Sequence, residues 1–209
     1  MTAGRFVKPD VDIIEGVTAP RRRTRQPEIR PDQILDAAQG VLLDGGAQAM
    51  TMDAVAEAAG LGKGTLYHHY RSKAELLSGL RARYLARTVA HADATARQGR
   101  TRAALARVDR FLESILQASA DNHELLWILF HQTAVEEEDE LAGIYEALLA
   151  LVCEGVQRGE LVIADPEFTT GFLLHGFHGM VETAFHNGNV DVGRLARRMR
   201  NVTRSLLMG

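Results

Sequence analysis

The sequence predicts an all-α protein of about nine helices, with an N-terminal helix-turn-helix domain and a C-terminal helical domain. Three observations lead there. Apolar residues recur at the i, i+3/i+4, i+7 spacing of amphipathic helices. The periodic stretches are separated by Gly, Pro and N-capping residues. No segment shows the sustained two-residue alternation of a strand.

Each element has its own signals. Residues 1–29 read as a flexible basic arm, with Pro9, Pro20, Pro27 and an arginine run. From Pro31, a residue suited to the first helical position, Ile34, Leu35, Ala38, Val41 and Leu42 form one apolar face, and Gly45-Gly46 ends it. Thr51 caps a short second helix, with Asp53 at its positive dipole end and Gly60 as its stop. A third helix of about 63–69 follows. Ser72-Lys73-Ala74-Glu75 is a capping box that starts a long helix over about 73–97. Thr101 is expected to cap a fifth helix, whose face is Leu105, Val108, Leu112 and Ile115. Asn122 is expected to cap a sixth, which carries Leu125, Trp127, Ile128 and Phe130. The acidic stretch 136–140 opens a seventh helix, and Gly159 ends it. Asp165-Pro166 starts the eighth. Asp191 caps the ninth, where Leu195, Met199, Val202 and Leu206 form an apolar stripe.

Composition removes several classes. Apolar residues make up 46% and charged residues 24% of the 209, which is globular and not disordered. The single cysteine, Cys153, rules out an intramolecular disulfide and a Cys₄ or Cys₂His₂ zinc module. The longest apolar runs, 125–130 and 147–153, fall far short of the roughly 20 residues that span a bilayer. Arg5, Lys8, Asp10 and Asp12 do not make a signal peptide. A cytoplasmic protein with no membrane partner is expected. The net charge of −3 hides a basic front end: residues 21–30 hold five arginines against Glu28 alone. Residues 76–209 hold 14 Arg and no Lys against 17 acids. Such a localised patch permits polyanion binding. The arm either lies in a minor groove, where narrow A·T tracts attract Arg, or is a solvated tail.

The most informative stretch runs from Met52 to Lys73. Two short helices crossing at a tight turn need a small residue at the crossing, a residue tolerant of positive φ in the turn, and an apolar plug. Ala56, Gly60, and the set Val55, Ala59, Leu61 and Leu66 meet those needs. The second helix presents Lys63, Gly64, Thr65, Tyr67 and His68 outward, and no acid occurs from Leu61 to Lys73. Such groups suit phosphates and base edges.

Residues 30–77 resemble the DNA-binding domain of the TetR family of bacterial transcriptional regulators. The resemblance rests on Ile34-Leu35-Asp36-Ala37-Ala38, on Thr51-Met52-Asp53-Ala54-Val55-Ala56, on Ala58-Ala59-Gly60-Leu61, and on the run from Lys63 to Leu77 that contains Gly64-Thr65-Leu66-Tyr67-His68-His69-Tyr70. It implies a three-helix DNA-binding domain and then, over 78–209, a ligand-binding and dimerisation region. Carried over by position, Tyr67, Lys73 and Thr51 grip phosphates, and Gly64, Thr65 and His68 reach bases. Tyr70 and Leu66 anchor the recognition helix, and His69 stays open. Gly62 stands where the family often has a capping Ser, and Tyr70 where it usually has Phe. The arm is long for the family. The implied partners are double-stranded operator DNA, a second copy of the chain, and a small-molecule effector of unknown identity. The implied activity is that of a ligand-responsive repressor, not an enzyme, with no cofactor.

Residues 78–209 carry no Gly-rich phosphate loop, Gly-x-Ser-x-Gly or HExxH. His123, Trp127 and His131 share one helix face; His178, Glu182 and His186 share another, with His175 close to it. Two such faces line an organic-ligand pocket or build a metal site. The second possibility gives the alternative of a metal-binding helical enzyme or metal-sensing regulator. The pocket residues expected are Trp127, Phe130, His131, Phe172 and His175. Gly171, Gly176 and Gly179 each cost the eighth helix roughly 1 kcal/mol against Ala, and close approach at a subunit interface is the natural reason. The expected dimer interface is Gly176 and Gly179 with Leu195, Met199, Val202 and Leu206; the resemblance implies a four-helix interface from the last two helices.

Overall fold

A computed structural model describes residues 31–99, 103–131, 141–186, 188 and 190–208. Among these residues the chain forms nine helices and no strand. They are α1 (Pro31–Ala49), α2 (Met52–Ala58), α3 (Lys63–His69), α4 (Lys73–Arg97), α5 (Ala104–Asp121), α6 (His123–His131), α7 (Ala142–Gln157), α8 (Pro166–His186) and α9 (Val192–Met208). The basic arm, Arg30, Thr101 and the acidic stretch 136–140 lie outside the described residues.

The helix boundaries follow local chemistry. Gly46, at φ 71°, breaks the last turn of α1. Thr51 Oγ1 accepts from the Ala54 amide at 3.1 Å and caps α2. Gly60, at φ 67°, supplies the left-handed residue of the turn, and the Leu61 amide reaches back to the Ala56 carbonyl at 2.8 Å. Gly62 offers no side-chain cap to α3. Ser72 Oγ accepts from the Glu75 amide at 3.1 Å, and Glu75 Oε2 accepts from the Arg71 amide at 2.6 Å. Asp165 and Asp191 cap α8 and α9 through the Phe168 and Arg194 amides. Two expected caps differ. The N-terminal amide of α5 at Ala104 donates to Glu160, from the loop after α7. Asn122 closes the end of α5, its side-chain amide donating to the Ala118 carbonyl at 2.9 Å.

Two apolar cores result. The first joins Ile34, Leu35, Ala38 and Leu42 of α1, Val55 and Ala56 of α2, Leu66 of α3 and Leu76, Leu77 and Leu80 of α4. It is sealed by Leu125, Ile128 and Leu129 of α6. The second is built from the far end of α4 with α5, α7, α8 and α9. There the fully buried α4 residues are the small Ala92 and Ala96, with Leu85 and Val89 partly buried beside them. The α5–α7 approach is equally close: a Cβ on Gly155 would stand 2.5 Å from the Ala104 Cβ. Helix α4 is thus a member of both cores, and α6 touches the first core from the side of the second.

Candidate DNA-binding surface and ligand cavity

The recognition helix candidate, α3, is amphipathic over only two turns. Leu66 is fully buried and fixes the helix against α1, α2 and α4. Lys63, Gly64, Tyr67 and His68 are exposed, Tyr67 by 47%, and Thr65 is half-buried. Tyr70 packs partly buried on the first core, where Gly79 leaves room for it: a Cβ there would lie 3.0 Å from Tyr70 Cε1. Burial pushes the Tyr70 phenol pKa up. His69 is half-buried, its ring edge-on to His68 at 5.9 Å.

Three of the residues matched to DNA contacts already hold intramolecular partners. Thr51 uses its hydroxyl oxygen to cap α2, as described above. Lys63 Nζ lies 2.6 Å from Asp53 Oδ2 across the turn, and that hydrogen bond raises the lysine's pKa. Lys73 Nζ donates to the Ala47 carbonyl at 2.5 Å and ties the start of α4 to the end of α1. An ammonium has three donors, so this tie leaves Lys73 donors for phosphate. Sequence reasoning missed both lysine partners. Asp53 lies ten residues from Lys63, and only the crossing angle of α2 and α3 brings them together.

The second site is a cavity of about 420 Å³ among α4, α5, α6, α7 and α8. Its apolar lining includes Leu85, Ile115, Leu126, Phe130, Ile144, Leu174, Phe177, Val181 and Phe185. Polar groups come from Tyr84 and Thr88 of α4, Ser119 of α5, His123 and His131 of α6, and His178, Glu182 and His186 of α8. Two stacked pairs form part of the wall: Trp127 on His131, centroids 4.3 Å apart, and His123 on Phe185 at 4.9 Å. Glu182 Oε1 sits 3.7 Å from His131 Nε2. The Tyr84 hydroxyl donates to the Ala118 carbonyl at 3.1 Å, and burial pushes its pKa up. Both histidine faces singled out in the sequence therefore meet at one cavity. Among the described residues, however, no three of His, Cys, Asp and Glu come together as metal ligands would. The metal alternative finds no support there.

Of the expected pocket residues, Trp127, Phe130 and His131 line the cavity and Phe172 and His175 do not. At 100° per residue, the cavity face of α8 carries Leu174, His178, Val181, Glu182 and Phe185. Phe172 lies outside that arc. It is 61% exposed and faces a shallow groove with Gly176, Met180, Val202 and Leu206. His175 is exposed as well. The α9 stripe also divides. Leu195 and Met199, with Thr203 and Leu207, are buried in the subunit's own second core. Val202 is 47% exposed, and Leu206 half-buried, on the groove flank. Around Gly176 and Gly179 an added Cβ would meet nothing within 4 Å. Contacts within the subunit therefore do not require glycine at either position.

Helix α6 connects the two sites. Leu125, Ile128 and Leu129 enter the first core, while Leu126, Trp127, Phe130 and His131 face the cavity. Arg81 of α4 is 7% exposed and binds the Leu129 carbonyl through Nε at 3.0 Å and through Nη2. Its guanidinium carbon lies 4.9 Å from the centroid of the Phe130 ring. Nothing in the sequence signals this tie beyond an arginine on the long helix.

Comparison with known proteins agrees with this layout. The family of bacterial regulatory proteins, tetR family, matches residues 34–80. A 52-residue stretch is 38% identical to the HTH-type transcriptional repressor KstR2 of Mycolicibacterium smegmatis, covering 25% of each chain. The match thus spans a quarter of that repressor's length. Solved structures extend the likeness of fold to most of the chain. FadR from Bacillus subtilis, solved with stearoyl-CoA, superposes with a TM-score of 0.68 at 19% identity, over 83% of this chain and 97% of that one. PfmR from Thermus thermophilus, a TetR family transcriptional regulator, gives 0.57 at 22% identity, over 87% and 97%. Residues 34–80 thus match the DNA-binding region of bacterial regulatory proteins of the tetR family, and over the rest of the chain the likeness is one of fold.

Proposed function

We propose that the protein is a homodimeric, cytoplasmic transcriptional repressor that leaves operator DNA when a small organic molecule fills the cavity. The observation that carries this reading is the double role of α6. One face of the helix closes the core of the DNA-binding domain, and the other lines the cavity. A ligand that packs against Trp127 and Phe130 therefore bears on the same helix that Leu125, Ile128 and Leu129 anchor against α1 and α4. It shifts the balance between two arrangements by its differential affinity for them.

The DNA contacts follow from α3. Tyr67 and Lys73 meet phosphates, His68 and Thr65 reach base edges, and Gly64 lets the backbone approach closely. Lys63 reaches phosphate when it leaves Asp53. The groove of Phe172, Gly176, Met180, Val202 and Leu206 is the half of the dimer interface that each subunit supplies. Such a dimer sets two recognition helices about 34–36 Å apart, one turn of B-DNA. That the B. subtilis FadR, similar in fold, was solved in complex with stearoyl-CoA supports an organic effector for this chain. The cavity's size is within the range of about 300–1,000 Å³ for such ligands.

Selection of bound fragments from a random duplex library tests the DNA half. Enrichment of a two-fold symmetric site, with half-sites about one helical turn apart, is the expected result. Recovery of unenriched sequence would contradict it. For the ligand half, quenching of Trp127 by the effector, with loss of DNA binding over the same concentrations, is expected.

A further inference from the structure

We infer that the cavity selects lipophiles whose polar end carries no negative charge, and that Glu182 is the residue that imposes the selection. The inference rests on the reading of this cavity as the effector site, and it narrows the ligand class.

The body of the cavity is hydrocarbon and aromatic, so the bulk of its ligand is apolar. Tyr84, Thr88 and Ser119 add hydroxyls from α4 and α5, but the titratable lining groups His123, His131, His178, Glu182 and His186 are on α6 and α8, where the two stacked ring pairs lie. Histidine supplies donors and acceptors there for a hydroxyl, carbonyl or amine. The carboxylate on that side is Glu182, with a side chain 56% exposed and 3.7 Å from His131. Among the described lining residues none is Lys or Arg, so a ligand carboxylate or phosphate finds no permanently positive partner. Like charges within a few ångströms repel, and more strongly where apolar walls lower the local dielectric. A free fatty acid meets one such repulsion. A coenzyme A thioester, with its several phosphate charges, meets more.

The test uses three probes that share one ten-carbon chain: decanol, decylammonium and decanoate. Trp127 is the only tryptophan and lines the cavity, so its fluorescence reports occupancy of this site. Decanol and decylammonium should quench it, and decanoate should bind about tenfold or more weakly. Glu182→Gln should close much of that gap by strengthening decanoate, should weaken decylammonium, and should leave decanol nearly unchanged. Added salt should narrow the gap in the wild type but not in the variant. Decanoate binding as tightly as decanol would overturn the inference and leave the effector site standing. A gap unchanged by Glu182→Gln would remove Glu182 from the role. If none of the three probes quenches Trp127, the cavity is not the effector site, and this inference falls with that reading.

Discussion

Arg81→Leu separates ligand binding from its consequence. In the native structure the Arg81 guanidinium satisfies the Leu129 carbonyl near the end of α6 and lies over the Phe130 ring. Leucine keeps the apolar part of the side chain and removes the hydrogen bonds to Leu129 and the contact with the Phe130 ring. Removing a buried charged donor from a carbonyl costs about 1–3 kcal/mol. Losing the cation–π contact costs about 1 kcal/mol more. For a chain of this size, each kcal/mol moves Tm by about 2–4 °C, so a fall of roughly 5–15 °C is expected. Trp127 and α3 are not touched, so DNA affinity measured alone should change little, and ligand affinity should shift only as far as the loosened Phe130 ring allows. The coupling between them should collapse. Allosteric factors are typically about 5–150-fold, and in Arg81→Leu the ratio of DNA Kd with ligand to that without should approach one. The assay is fluorescence anisotropy of a labelled operator with and without saturating ligand, at a temperature well below the variant's Tm. A variant that loses stability but keeps the full ligand effect on DNA would refute the role of Arg81 in transmission.

Three further outcomes follow from the geometry. Asp53→Asn should free Lys63 and raise affinity for all DNA sequences by about two- to fivefold, the worth of an exposed ion pair. It should also steepen the salt dependence by about one unit per subunit; an unchanged slope in a salt titration would contradict the pairing's effect on binding. Val202→Glu with Phe172→Glu should give folded monomers in sedimentation, because both side chains lie on the exposed groove. Persistence of dimers would place the interface elsewhere. Asp109, half-buried, has its pKa raised to about 6 by desolvation and by Glu113. The native state therefore holds this proton longer than the unfolded chain does, and stability falls as pH rises from about 4 to 6. Asp109→Asn should then stabilise the protein at pH 7.5 by about 1 kcal/mol, a figure discounted for exposure. The gain should shrink toward pH 4 in thermal melts. A variant less stable than the wild type at pH 7.5 would reverse the sign.

The parts of this molecule written in local chemistry were legible in the sequence. The bounds of α3 and α4, the left-handed turn at Gly60 and the caps at Thr51, Ser72, Asp165 and Asp191 all depend on residues within a few positions of one another. Shared helix faces were legible too, which is why His123, His131, His178 and Glu182 reach one cavity. What periodicity does not encode is the neighbour that each face meets. Leu195 and Val202 belong to one stripe, yet Leu195 packs inside the subunit and Val202 stands on its surface. Phe172 has the size of a pocket residue, and the rotation of α8 turns it outward. The Lys73–Ala47, Lys63–Asp53 and Arg81–Leu129 pairs each join residues 10 to 48 positions apart. They exist only once the helices have packed.

If the cavity and the DNA-binding surface are linked through α6, each ligand must change the affinity for the other by the same factor. With the selected operator and a molecule that quenches Trp127, four dissociation constants are measured: DNA with and without ligand, and ligand with and without DNA. Thermodynamic linkage requires the two ratios to be equal. Equal ratios of at least about fivefold each, with ligand weakening DNA binding, are the expected result. A ligand that occupies the cavity and leaves DNA affinity unchanged would contradict it.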